Sequence, residues 1–182
     1  ILISIQIIII STFIPVFISI PFTNQQLQTF DVPISWQVPS VILLTLFFCG
    51  DVVMIAFSIY LLIGIFFLPV FHNGGSLGYL LTPNFGYLLG IYPLIHIIDK
   101  LNKLNHKIFY YDLIKYGILG ISSMHIIGTI YNFIQILYFK QSEILLYNIS
   151  RYTLGKFGYH LLMLTPITLL IKLFNNKTKN KV

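Results

Sequence analysis

The 182-residue chain is 57% hydrophobic and 16% aromatic, yet only 9% of it is charged. A soluble domain usually spends about a quarter of its residues on Asp, Glu, Lys and Arg, so this composition excludes a water-exposed surface and suits lipid. The formal net charge of +6 is gathered in a few places that fit membrane topology, and no nucleic-acid partner is expected from it. Cys49 is the lone cysteine and lies in an apolar run, so no disulfide can form within the chain and the redox compartment stays open.

In chain order, Ile1–Ile20 carries no charge and has the length a bilayer core requires, about 20 residues. It lacks the basic front and small-residue exit of a signal peptide, so an uncleaved first helix is predicted, softened by Pro15 and stopped by Pro21. Residues Pro21 to Pro39 (PFTNQQLQTFDVPISWQVP) are too polar for lipid. Val38–Gly50 and Val52–Phe71 are predicted as the next two helices, parted at Cys49-Gly50-Asp51. A glycine-rich connection, His72–Pro83, leads to a fourth helix, Asn84–Ile98, then to the basic loop DKLNKLNHK. A fifth helix is predicted over Leu113–Tyr138, a mixed amphipathic stretch over Gln141–Lys156, and a sixth helix over Phe157–Phe174. The hydrophilic basic tail, residues 175–182, ends a single membrane domain spanning residues 1–182. The chain opens on Ile1 without an initiator methionine, so a few residues are expected before it.

Charge sets the expected sidedness. Lys100, Lys103, Lys107 and Lys115 flank the fourth-to-fifth connection, and Lys172, Lys177, Lys179 and Lys181 close the chain. Six spans put both groups on one face, opposite Lys140, Arg151 and Lys156. Basic residues near helix ends favour the cytoplasm, so both termini are expected there. The connections Pro21–Gln37, His72–Pro83 and Gln141–Lys156 then face outward.

Catalytic and metal signatures are not found. His72, His96, His106, His125 and His160 show no close ligand spacing, and no paired carboxylates or phosphate loop accompany them. No catalytic residue, metal or cofactor is therefore expected. Gly86 and Gly90 have the spacing that lets helix backbones approach. His125, Thr129, Asn132 and Gln135 fall on one face of the fifth helix, where they either bond other helices or line a site. The outer loops carry Gln25, Gln26, Gln28, Trp36 and Gln37, then Asn73, Gly74, Gly75 and Asn84. That set suggests a pocket for a small ligand with an uncharged body.

The stretch from Val32 to Gly90, with VPISWQ, LPVF-x-x-GG and P-x-x-GYLLG in that order, resembles the core of the BioY family. BioY proteins are the biotin-specific, substrate-capturing S components of energy-coupling-factor (ECF) transporters. The resemblance implies an all-α six-helix S-component bundle with an outward-facing biotin pocket. It places Gln37, the Asn73–Gly75 turn, Asn84 and Tyr87 at or near that pocket, with Trp36 beside them. Where the family enters its last helix through a segment like PGDLLK, this chain has Gly158-Tyr159-His160-Leu161-Leu162-Met163. His160 then stands at the family's ligand-binding Asp and Met163 at its Lys; an alternative match anchored on Pro166 gives Thr168 and Ile171 instead, and either leaves Arg151 or Lys156 as substitute cations. On the first helix, Ser4, Ser11, Thr12 and Ser19 replace the small residues, often Ala, through which S components dock on their membrane partner.

The function implied is biotin uptake across the bilayer, with a separate transmembrane coupling protein and ATPase subunits as partners. The alternatives are an S component retargeted to another small vitamin, or a divergent structural membrane protein that transports nothing. Ala56, Arg151 and Trp36 are each the lone residue of their type, whereas Ile, Asn, Lys and Tyr abound. That bias fits an AT-rich genome, and hence a bacterial inner membrane or the plastid membrane of such an organelle.

Overall fold

The N-terminal apolar run does not stay helical to Ile20. In the computed structural model, which describes residues 1–21, 27–72, 74–104, 110–140 and 145–179, helix α1 covers Leu2–Phe13 and stops at Ile14, which is extended. Pro15 is the cause, because its ring bars the residue before it from the helical region. The β-branched run that follows forms strand β1, Pro15–Pro21, antiparallel to β2, Leu27–Ser35, with Val16 opposite Val32 and Ile18 opposite Phe30. Alternation does the rest: Val16, Val32 and Ile34 are buried together while Phe17, Asp31 and Pro33 are exposed. The Trp36 N–H donates to Ile14 O at 3.1 Å and ties the hairpin's base. Gln25, Gln26, Asn73, His106, Lys107 and Lys181 lie outside the described residues.

Six helical segments form the bundle. After α1 come α2, Gln37–Phe47, and α3, Gly50–Phe66. The fourth is broken rather than continuous: α4, Pro83–Leu89, gives way at Gly90 to α5, Ile91–Leu104. Pro93 accounts for the break, since it has no N–H to offer Leu89 O and its ring crowds that carbonyl. The fifth, α6, covers Tyr110–Phe139. The sixth is assembled from α7 (Leu145–Asn148), a π-helical turn (Ile149–Leu154), α8 (Gly155–Leu162) and α9 (Leu164–Lys179). It therefore begins well before Phe157, and its helix continues into the hydrophilic tail. The interruption at Met163 has the same origin as the one at Gly90. Pro166 leaves Leu162 O without its backbone donor, and the Thr165 hydroxyl donates to that carbonyl instead, at 2.8 Å.

Tyr110–Phe139 and Leu145–Lys172 are long and apolar enough to cross a membrane. The 30 residues of α6 rise about 45 Å, and exposed Tyr110 and Tyr111 at one end mirror exposed Tyr138 and Phe139 at the other. Aromatic belts at the two lipid–water interfaces have this arrangement. Helix α1 turns Ser4, Ser11 and Thr12 into the core and leaves Leu2, Ile3, Ile10 and Phe13 outside. Its outward face is thus one of large apolar side chains, and the small ones serve internal packing.

Inside, Ile8, Ile42, Phe57, Tyr60, Leu94 and Ile98 are among the fully buried side chains of one continuous core. Close approach of α4–α5 to α6 depends on glycines, Gly86 and Gly90 on one side and Gly128, where a Cβ would overlap the Tyr87 ring, on the other. A Cβ at Gly86 would overlap the Tyr131 side chain, and one at Gly90 would strike the Met124 backbone. The glycine-rich loop after α3 folds inward over the bundle. Phe71, fully buried, meets Tyr60 edge-on at 5.3 Å and Tyr79 at 4.6 Å.

Candidate ligand-binding site

A cavity of about 350 Å³ lies beneath the hairpin, bounded by the end of α1, the start of α2, α4–α5 and the π-turn–α8 segment. Its volume is within the usual range for small-molecule sites, about 300–1,000 Å³. Val32, Ile34, Leu88, Ile91 and Met124 give it an apolar body. The polar groups on its wall are Thr12, Ser35, Gln37, His72, Asn84, Arg151, Lys156 and His160, together with the tyrosines Tyr79, Tyr87 and Tyr152. Among the described lining residues there is no carboxylate.

Gln37 opens α2 directly after Trp36, so the chain's exit from the hairpin delivers its side chain to the cavity wall. It is 8% exposed, and its amide Nε2 is buried without a hydrogen-bond partner among the described residues. The neighbouring Tyr60 hydroxyl, which meets Thr12 Oγ1 at 3.3 Å and Val70 O at 3.4 Å, is the polar group beside the Gln37 side chain. A buried amide without a partner is costly, and a ligand acceptor in the cavity would satisfy it. Asn84, half-buried on the first turn of α4, adds a second amide.

Tyr87 contributes its ring and not its hydroxyl. The hydroxyl bonds Thr153 Oγ1 at 2.6 Å and accepts from Asn132 Nδ2 at 3.3 Å, while Thr153 also meets Thr129 Oγ1 at 2.9 Å. These bonds settle the role of the polar face on α6: His125, Thr129, Asn132 and Gln135 all bond neighbouring elements, Gln135 through Leu80 O at 3.2 Å. None of the four lines the cavity. They fix α4 and the π-turn, and through them the cavity's shape.

Helix α8 sets Lys156, His160 and Met163 on one face at i, i+4 and i+7. Lys156 and His160 line the cavity. Met163 instead packs against the buried hairpin cluster of Val16, Val32 and Ile34. Lys156 Nζ and Arg151 Cζ both sit over the Tyr152 ring, at 5.2 and 5.8 Å. Two cations thus share one aromatic ring at the cavity wall, with no salt bridge to either among the described residues. The exposed Arg151 also donates to the Tyr147 hydroxyl. On the rim, partial burial and then the Lys156 charge push His72 below the ordinary imidazole value, which leaves it uncharged at neutral pH.

Of the residues selected from sequence, Gln37, Asn84, Tyr87 and His160 come together on this wall. Trp36 does not. It packs on the hairpin cluster and faces a separate groove with Ile7, Ile10, Ser11, Ile14 and Ser40. Met124 and Tyr152 join the site without having been singled out, and Thr12, expected on the docking face of the first helix, lines the cavity, because their place depends on how α1 ends and how the sixth segment bends.

Residues 2–164 match the sequence model of the BioY family. Among solved structures the chain is similar to the crystal structure at 2.1 Å of the S-component for biotin from an ECF-type ABC transporter. The two are 20% identical with a TM-score of 0.58, over 93% of this chain and 87% of that one. At that identity the likeness is one of fold. No curated protein matches the chain. The family match covers most of the length and the fold agrees with it, so the chain belongs to the BioY family, whose members are integral membrane transporter components and not enzymes.

Proposed function

We propose that this protein is the substrate-capturing S component of an ECF-type transporter and that its ligand is biotin. The observation that carries the reading is the polarity of the cavity among the described residues: apolar walls, an amide donor on Gln37 without a partner, paired cations at Lys156 and Arg151, and no carboxylate. A compact uncharged body with a carbonyl acceptor and a single carboxylate complements such a lining. Biotin has that form. Gln37 and Asn84 would hold the ureido group, the Tyr87 ring would flank the bicycle, and Lys156 with Arg151 would neutralise the carboxylate. His160 would contact the ligand from α8, and Trp36 would brace the hairpin above it.

In this reading both termini are cytoplasmic and the hairpin side faces outward, so ligand enters from outside. Active uptake requires partners, a transmembrane coupling protein and ATPase subunits, since no phosphate-binding loop occurs in the sequence. A bacterial inner membrane and a plastid membrane are both compatible with the composition.

A second reading, an S component retargeted to another small carboxylated vitamin, is favoured by Met163: the resemblance sets it at the family's Lys, and its side chain packs on the hairpin. A structural protein that transports nothing would leave the buried Gln37 donor and the shared cations without purpose. Equilibrium binding of labelled biotin to the detergent-purified protein separates the three. Saturable binding that Gln37→Ala weakens is expected. Absence of binding by a folded sample would rule out biotin.

A further inference from the structure

His125 and His160 form a buried pair that joins α6 to α8, His125 Nε2 lying 3.0 Å from His160 Nδ1. They are 3% and 8% exposed. His125 is held edge-on between Tyr87, at 5.4 Å, and Phe157, at 5.2 Å. Its Nδ1 is buried with no hydrogen-bond partner among the described residues. His160 lines the cavity, and with Nδ1 turned to His125 its remaining nitrogen is Nε2.

A hydrogen bond between two neutral imidazoles has two possible polarities, and they differ in what they leave exposed. If His160 Nδ1–H donated, His125 Nε2 would be the acceptor and the buried, unpartnered His125 Nδ1 would carry a proton. An N–H buried with no acceptor is an especially costly polar group, whereas a bare nitrogen lone pair is tolerated more readily. The other polarity removes that penalty. His125 Nε2–H donates, His125 Nδ1 is the lone pair, and His160 Nδ1 accepts. His160 must then carry its own proton on Nε2. An imidazolium on either ring is disfavoured by position, because Lys156 lies one turn from His160 on the same face and no described carboxylate lines the cavity.

We infer that His125 is a positioning residue which locks His160 in the Nε2–H tautomer, so that His160 is a hydrogen-bond donor to an acceptor oxygen of the bound ligand. The inference rests on the cavity being the ligand site. It reverses what an Asp at this place would offer, an acceptor for a ligand N–H. The wall thereby becomes donor-rich, with the Gln37 amide, the His160 imidazole, Lys156 and Arg151. A ligand bound here presents a carbonyl or carboxylate oxygen to α8 and not a ring N–H.

The test is nitrogen NMR of the detergent-purified, ¹⁵N-histidine-labelled protein, with His160 signals assigned by their loss in His160→Gln. The expected spectrum has a pyrrole-type Nε2 and a pyridine-type Nδ1 for His160, and biotin shifts the Nε2 resonance. His125→Phe keeps the ring packing but removes the donor; it should mix the His160 tautomers and weaken biotin binding by about fivefold, the worth of one neutral hydrogen bond. His125→Gln, whose amide can donate from a similar position, should restore both. A protonated Nδ1 on His160, or an imidazolium, in the unliganded protein overturns the inference whether or not biotin binds. So does a His160 spectrum unchanged by His125→Phe. Failure of the wild type to bind biotin, with the Nε2–H tautomer present, would instead remove biotin as the ligand and leave the donor assignment standing.

Discussion

The two ends of the bundle treat charge in opposite ways. At the end where α2 turns into α3, the buried Asp99 accepts from the Gly50 N–H at 2.8 Å and pairs with Lys103 at 2.6 Å. Asn102 reaches the last carbonyls of α2, at 3.4 and 3.3 Å. The carboxylate sits on the N-terminus of α3, where the helix dipole favours it, and a Cβ at Gly50 would overlap it. At the cavity end, Lys156 and Arg151 share the Tyr152 ring with no described counter-ion, and the Gln37 Nε2 is buried without a partner. Asp99 and Asn102 find their partners at one end, whereas the Gln37 amide and the two cations stay open at the other. Satisfied groups hold a helix turn in place; open ones around a cavity are what a ligand would complete.

Substitutions sharpen this contrast. Lys156→Met should lower biotin affinity most, about 30-fold or more, as expected when one partner of a desolvated charge pair is removed at a cost of about 2–5 kcal/mol. The protein should melt near the wild-type temperature. Asp99→Ala should act the other way round. It leaves the Gly50 N–H and the end of α3 without their acceptor, destabilising the fold by about 2 kcal/mol, while the affinity of the folded protein changes less than twofold. Thermal melts in detergent paired with binding isotherms read both quantities. Gln37→Ala should cost about fivefold in affinity, the value of a neutral hydrogen bond, with little change in melting. Arg151→Ala should cost less than threefold and should become silent at high salt, because Arg151 is exposed and its charge is screened.

His72 gives the smallest effect. Its folded-state pKa is lowered, first by burial and then by Lys156, so the unfolded chain binds the proton more readily than the folded one. The contribution of His72 to stability is therefore present above the ordinary imidazole range and is lost as the pH falls through it. A pH series of melting temperatures should show a shallower decline on acidification in His72→Gln than in the wild type.

Much of this architecture was legible in the sequence, and the exceptions have physical causes. Six helical segments and the family follow from hydrophobic runs and the ordered VPISWQ, LPVF and GYLLG segments. The N-terminal run misleads because an uncharged stretch of Ile, Val and Phe satisfies helix and strand alike by periodicity. Pro15 decides between them, since it ends α1 at Ile14 and hands the rest to the hairpin. Pro93 and Pro166 likewise break segments that hydropathy joins. Gln37 and Asn84 stand out in the sequence as polar amides beside the connections expected to face outward. The cations were harder to place: Lys156 and Arg151 reach the cavity because the sixth segment starts as early as Leu145 and winds through a π-turn, which no composition signal marks. Trp36 was drawn to the site by its neighbour Gln37, yet the two side chains leave the hairpin base in different directions.

The central claim is that the open cations at the cavity receive the carboxylate of biotin. The most direct measurement is competition for labelled biotin on the purified wild-type protein by unlabelled biotin and by its methyl ester, repeated on Lys156→Met. The account predicts saturable binding of the acid, competition by the ester at least about tenfold weaker, and near-equal competition by the two in the variant. Equal competition by acid and ester on the wild type would contradict it, as would a folded protein that binds no biotin.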